Sequence, residues 1–338
     1  MAPAGATVRQ CVLDLIGNTP TIELVQLRLP PGKRLYLKLE CFNPTFSIKD
    51  RTAYGMIQAA LRSGALAPGG TVIESTSGNL GKSLAMIGAV LGLTVVIVVD
   101  PKVTANNLAF YRAFGAQVVV VDRPDEIGGY QVARIARVKA LLAQTPGAYW
   151  PNQYDNADNP DYHDEHTARE VLDDGPSFDT LVGSISTGGH LCGIARRVKR
   201  ERPAVRTVAC DAAGSAVFGG TFAPYLLNGI GLSWRSANAD LSLFDACYTV
   251  SDEEAFSTAR AVARHAGLLL GGSSGAVIFA ALAELHHGPA TSALAVMPDS
   301  GTNYLSQFYD DRWLAERGLR LIPAGEVVAA AARCRPVR

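Results

Sequence analysis

The run Leu93-Thr94-Val95-Val96-Ile97-Val98-Val99 is apolar at six of its seven positions, largely β-branched, and stops at Asp100-Pro101. A strand with one wet face alternates polar and apolar residues. A run without alternation reads as a strand buried on both faces, which a chain obtains in a parallel sheet covered by helices on either side. The stretch also falls well short of the roughly 20 residues needed to cross a bilayer. Hydrophobic residues make up 48% and charged residues 18% of the 338, so disorder is excluded and about two domains are expected. The 31 Lys plus Arg balance 31 Asp plus Glu, which leaves no electrostatic footprint for nucleic acid.

The flanking sequence alternates strand and helix patterns. Strands are predicted at 34–40, 71–74, 93–99, 117–121, 179–185, 205–209 and 292–297. Helices are predicted at 50–63, 80–91 (ending at Gly92), 106–114, 129–144, 162–172, 191–201, 251–265 and 274–285. Such alternation means an α/β fold with a mostly parallel, doubly wound sheet. The polar loop 151–160 marks a crossing between two α/β units. The N-terminal residues 1–10 lack the basic and apolar regions of a signal peptide, and the six Cys form neither a disulfide framework nor a zinc knuckle. The expectation is a cytoplasmic protein with no membrane partner.

Ligands of open α/β sheets collect where a strand ends and a helix opens. Three loops qualify. Glu74-Ser75-Thr76-Ser77-Gly78-Asn79-Leu80-Gly81 offers backbone N–H groups and hydroxyls that suit a carboxylate or phosphate, or simply an N-cap with a turn glycine. Gly183-Ser184-Ile185-Ser186-Thr187-Gly188-Gly189-His190 is a plausible phosphate nest; its glycine spacing matches neither the dinucleotide fingerprint nor a P-loop, so NAD and ATP are unsupported. Leu270-Gly271-Gly272-Ser273-Ser274-Gly275 is, alone, an ordinary glycine-rich turn. A fourth feature is Lys49, at the mouth of the helix beginning at Asp50. A cation is mildly unfavourable there, and an imine-forming lysine with a depressed pKa would occupy such a spot.

Asn43-Pro44-x-x-Ser47-x-Lys49-Asp50-Arg51, Thr76-Ser77-Gly78-Asn79 and Gly272-Ser273-Ser274-Gly275, preceded by Ile16-Gly17-Asn18-Thr19-Pro20, resemble the cysteine synthase and cystathionine β-synthase family over residues 12 to about 310. The resemblance implies a fold type II (tryptophan synthase β-like) enzyme of two doubly wound α/β domains, a homodimer using pyridoxal 5'-phosphate. Residues 12–48 with 155–325 would form the larger, cofactor-binding domain, 49–154 a smaller inserted substrate-binding domain, and 326–338 a C-terminal tail. It further implies that Lys49 carries the cofactor through a C=N linkage and acts as the catalytic base. Asn79 would bond the cofactor's phenolic oxygen, Ser186, Thr187, Gly188, Gly189 and His190 its phosphate, and Ser273 its pyridine nitrogen. Ser75, Thr76, Ser77 and Asn79 would grip a substrate α-carboxylate together with Gln153.

Sulfhydrylases of the family carry Gly-Thr-Gly-Gly-Thr where this chain has Ser186-Thr187-Gly188-Gly189-His190. A side chain at 186 stands where the second substrate arrives and argues against plain sulfide. Asp125-x-x-Gly128-Gly129-Tyr130-x-x-x-Arg134-Ile135-Ala136, Ala148-Tyr149-Trp150-x-Asn152-Gln153-Tyr154 and Pro298-Asp299-x-Gly301 are similar to a subgroup that joins the nitrogen of L-glutamate to the β-carbon of O-phospho-L-serine and releases phosphate, towards 2,3-diaminopropionate for siderophores or peptide antibiotics. Arg134, Tyr154 and Ser186 would then receive glutamate, Arg134 through a bidentate grip. Alternatives are a solvated Arg134 on its helix, a sulfhydrylase using acetylserine or phosphoserine, and a cofactor-retaining regulator without activity. His190 would help neutralise a phosphate or merely occupy a helix start. Asp299 is expected near the cofactor without a clear role. No metal is expected: His163 and His166 have helical spacing but lack a third ligand and read as an exposed helix start.

Overall fold

A computed structural model describes residues 8–101, 103–124, 130–173 and 175–338. After β1 (Thr21–Glu23) and β2 (Arg34–Leu39) come α1 (Lys49–Ser63), β3 (Thr71–Ser75), α2 (Asn79–Leu91), β4 (Thr94–Val99), α3 (Ala105–Ala113), β5 (Gln117–Val120) and α4 (Gln131–Gln144). Then follow α5 (Asp158–Tyr162), α6 (Ala168–Asp173), β6 (Thr180–Ser184), α7 (Gly189–Glu201), β7 (Arg206–Ala212) and β8 (Ala246–Val250). The chain ends with α8 (Asp252–Ala266), α9 (Gly272–His287), β9 (Ser292–Met297), α10 (Asp311–Glu316) and α11 (Val327–Ala331).

Among the described residues the strands form two sheets, one in the order β1-β2-β9-β6-β7-β8 and one in the order β3-β4-β5. All pairings are parallel except β1 with β2. The smaller sheet lies within 49–154, while the larger takes strands from both sides of that segment. The unbroken apolar stretch 95–99 behaves as its composition requires. Val95, Ile97 and Val99 face the core made with α1 and α2, whereas Val96 and Val98 face a second core containing Val138 of α4. Each buried valine contributes roughly 1.5 kcal/mol or more, so both faces hold this strand in place.

The departures have local causes. The helix expected at 162–172 begins at Asp158 and passes through a π turn, His163–Thr167, before α6. Its start is charged and exposed at Asp161, Glu165 and His166, as the sequence suggests, but His163 and Asp164 are buried, and Asp164 accepts from Arg196 at 2.8 Å and from Arg200 at 2.8 Å on the neighbouring α7. Strand β8 was not anticipated, and 326–338 is no appended tail. Val327 and Ala331 are fully buried in the main core, and Cys247 N–H of β8 donates to the Arg338 carbonyl at 3.1 Å. The expected start of the α4 helix at Gly129, and the motif residues Asp125 and Gly128, lie outside the described residues. No helix among the described residues is long and apolar enough to cross a membrane.

Candidate active site

The C-terminal ends of β3, β4 and β6 converge on a cavity of about 400 Å3, within the range of small-molecule sites. Lys49, Thr76, Ser77, Asn79, Arg134 and Gln153 line it, as do Tyr154, Ser186 and Thr187. Residues far apart in sequence are thus gathered at one place.

Lys49 opens α1 two residues after Ser47, whose strand-like bridge to Asp299, with the bond from the intervening Ile48 N–H to the Pro298 carbonyl at 2.8 Å, ties the lysine to the end of β9. The preceding Phe46 adopts φ 66°, a left-handed conformation that costs a non-glycine residue energy and turns the chain into the helix. Removal from water lowers Lys49 to about 8, with the negative charge of Asp299 opposing. A lysine amine so perturbed is available as nucleophile and base.

On one wall Arg134 NH1 donates to Ser77 Oγ at 2.7 Å and lies 3.0 Å from Asp100 Oδ2. Arg134 is therefore buried and held, not solvated. Its Nε–H is buried without a hydrogen-bond partner among the described residues. The Tyr154 hydroxyl accepts from Gln131 at 3.1 Å while its ring packs on Trp234. Ser186 Oγ donates to the Gly231 carbonyl at 3.0 Å, so the hydroxyl stands on the wall.

At the opposite side the 13-residue α7 begins behind Thr187. The first N–H groups of a helix have no partner within it and attract anions. Gly188 has φ 83°, and a Cβ there would come within 2.3 Å of the Asn238 carbonyl, so only glycine lets this loop press against its backing. Thr187 Oγ1 is buried without a hydrogen-bond partner among the described residues. A half-buried amine for an aldehyde and a helix N-terminus with an unpaired hydroxyl for a phosphate are the donor set that pyridoxal phosphate requires, and they fit it.

Not every expected residue reaches the cavity. The Ser75 side chain is fully buried behind it and its N–H is spent on Glu74 Oε1 at 2.7 Å. His190 points inward, its ring 6.2 Å from that of His163. Burial, with the charge of Lys49, drives it down to about 3, which favours the neutral imidazole. Both ring nitrogens of His163 are engaged, by Thr52 and Thr167 hydroxyls at 2.9 Å each, which leaves neither for a metal. Ser273 is buried at the start of α9, 3.4 Å from Asp299 Oδ1. The sequence reading missed the wall formed by Tyr225 and Leu227–Leu232, whose signal was the pair of glycines Gly229 and Gly231 at positive φ. It also passed over Lys82 and Asn303.

Comparison with known proteins agrees with this geometry. The family model "pyridoxal-phosphate dependent enzyme" matches residues 12–299. N-(2-amino-2-carboxyethyl)-L-glutamate synthase of Ralstonia nicotianae is 41% identical over 329 residues, covering 96% of each chain. A putative cysteine synthase of Sinorhizobium fredii is 40% identical, covering 91% of this chain and 93% of its own. The crystal structure of O-ureido-L-serine synthase superposes with a TM-score of 0.83 at 33% identity, over 91% of this chain and all of that one. The chain belongs to the pyridoxal-phosphate-dependent enzyme family, as a fold type II member that uses pyridoxal 5'-phosphate for β-replacement on small amino-acid substrates.

Proposed function

We propose that this enzyme joins O-phospho-L-serine to L-glutamate, giving N-(2-amino-2-carboxyethyl)-L-glutamate and phosphate. The observation that carries this reading is Arg134: a buried guanidinium on the cavity wall, held by Asp100 and Ser77, whose Nε–H has no partner among the described residues, in the cavity that Tyr154 and Ser186 also line. Sulfide needs no such group, whereas an acceptor amino acid with two carboxylates does. The 41% identity to the Ralstonia nicotianae synthase supports the same substrates.

Bound pyridoxal phosphate supplies an electron sink at the substrate α-carbon. The chain supplies the rest. Lys49 would hold the cofactor covalently until the substrate amine displaces it; the freed Lys49 amine would then take the α-proton as the phosphate leaves Cβ, and return a proton after the glutamate nitrogen has added there. Thr76, Ser77, Asn79 and Gln153 orient the α-carboxylate. Thr187 and the α7 N-terminus hold the cofactor phosphate. The smaller unit, 49–154, thereby presents the carboxylate grip and the larger unit the phosphate grip.

The test is spectroscopic. O-phospho-L-serine should alter the cofactor absorbance and release phosphate, and L-glutamate should restore the resting spectrum. Restoration by sulfide alone would hand the site to a cysteine synthase, the reading that the Sinorhizobium fredii relative favours. Arg134→Gln should lower kcat/KM for glutamate about a hundredfold, roughly 3 kcal/mol, while leaving any turnover with sulfide within threefold. An equal loss with both acceptors would remove Arg134 from acceptor recognition.

The Lys49 titration gives a second expectation. Capture of pyridoxal phosphate by the cofactor-free protein should rise as pH increases, because the neutral amine attacks, and level off just above 8. An unperturbed lysine would carry the rise on towards about 10.4, and such a profile would contradict the depressed value.

A further inference from the structure

Lys82 lies one helical turn after Asn79 on α2 and is fully buried. Its Nζ donates to Asn303 Oδ1 at 3.0 Å and stands 5.0 Å over the Phe110 ring. A buried lysine costs free energy unless something requires its charge. Burial lowers it to about 8, against the charges of Asp299 and Asp50.

An ammonium has donors and no acceptor, so Asn303 must turn its Oδ1 towards Lys82. Asn106 Nδ2 reaches the same oxygen at 3.2 Å and reinforces that choice. The Asn303 amide nitrogen then faces Asn79 and donates to Asn79 Oδ1 at 3.2 Å. Asn79 is fixed in turn: its Nδ2 donates to Asp299 Oδ2 at 2.8 Å, where Tyr304 also donates at 2.7 Å. A reversed Asn79 amide would set its oxygen against the Asp299 carboxylate and its nitrogen against the Asn303 nitrogen, two repulsions in a buried place. Asp299 Oδ1 meets Ser273 Oγ at 3.4 Å. The carboxylate is wedged against Gly271, where an added Cβ would approach Oδ1 to 1.9 Å.

We propose that Lys82, Asn303 and Asp299 are positioning residues, a donor-to-acceptor relay that fixes the Asn79 amide with one N–H turned to the cofactor and ties it to Ser273. The relay begins at a cation and ends at an anion, so its polarity has one direction. It joins α2 of the smaller sheet to the segment after β9 of the larger one, and thus sets the two cofactor contacts relative to each other. The proposal rests on the reading of Asn79 as a cofactor contact, and the experiment separates the two.

Full-length protein loaded with pyridoxal phosphate is compared as wild type, Lys82→Met, Asn303→Asp and Asn79→Ala. Cofactor absorbance maximum, rate of cofactor loss on dilution and melting temperature of the cofactor-free chain are read for each. Asn303→Asp keeps the size and the bonds to Lys82 and Asn106 but cannot donate to Asn79, so it isolates amide orientation from packing. Lys82→Met and Asn303→Asp should each shift the absorbance maximum and speed cofactor loss about tenfold, the worth of one hydrogen bond to a charged group, with little change in melting temperature. Wild-type spectrum and retention in both variants, with Asn79→Ala impaired, would overturn the relay alone. An unaffected Asn79→Ala would overturn the Asn79 contact and the relay with it. Losses that merely follow a lowered melting temperature would assign Lys82 to folding and also overturn the proposal.

Discussion

Lys49→Ala is expected to lower turnover by about 10³-fold or more, the reach of a positioned general base, and to leave pyridoxal phosphate bound only reversibly. Borohydride reduction followed by intact-mass measurement checks this: the wild type gains the cofactor mass and the variant does not. Lys82 cannot substitute, because its Nζ is committed to Asn303 and does not line the cavity. The fold should survive. Lys49 is half-buried and held out of water without a salt bridge among the described residues, so its loss removes a desolvated cation and leaves no close ion-pair partner stranded. The melting temperature should therefore move by only a few degrees. A variant that retained turnover within tenfold of wild type would place the base elsewhere.

The parts of this site legible in the sequence are those written in local chemistry. The run 94–99 announced its two-sided burial, and three strand-to-helix loops announced where ligands gather. Lys49 stood out because a cation at a helix mouth needs a reason. Illegible were the features made by pairing across the chain. Nothing around Lys82 says that it will be buried, since its partner Asn303 is 221 residues away and comes within reach only when the two sheets meet. Asp299 could be placed near the cofactor but acquired a role only through Asn79, Tyr304 and Ser273. His190 and His163 looked like polar helix residues; their burial depends on the packing of α7 against the π turn, which no periodicity encodes. Strand β8, Ala-Cys-Tyr-Thr-Val, is short and follows the long irregular stretch 213–245, so pattern alone does not separate it from a loop. The cavity wall at 225–232 is irregular backbone, and its place is decided by the sheet it covers.

Arg51→Met is expected to be the most destabilising of the single changes, by about 3–5 kcal/mol, as for a buried ion pair with one partner removed. Arg51 is 1% exposed and stands two residues beyond Lys49. It binds Glu40 through Nε at 2.7 Å and NH2 at 3.0 Å, and Glu170 through NH1 and NH2 at 2.6 Å each. Those bonds pin the first turn of α1 to the segment after β2 and to α6, so the network fixes the helix that carries Lys49. Methionine fills the space and donates nothing, which strands the fully buried Glu40. The melting temperature should fall on the order of 10 °C. Removing the stranded charge as well, in Arg51→Met with Glu40→Gln, should recover much of the loss, because the uncompensated carboxylate is the main cost. The pH dependence has a definite sign. Burial alone would raise Glu170, but the bonds and charge of Arg51, joined by Lys38, hold it down at about 2. A depressed carboxylate stabilises the fold above its unfolded value and loses that contribution as pH falls towards the folded one. The gap between wild type and Arg51→Met should therefore be full at neutral pH and narrow below about pH 4.5. A gap under about 1 kcal/mol at neutral pH would reduce the network to the worth of exposed ion pairs, and the anchoring of α1 would have to come from its apolar face instead.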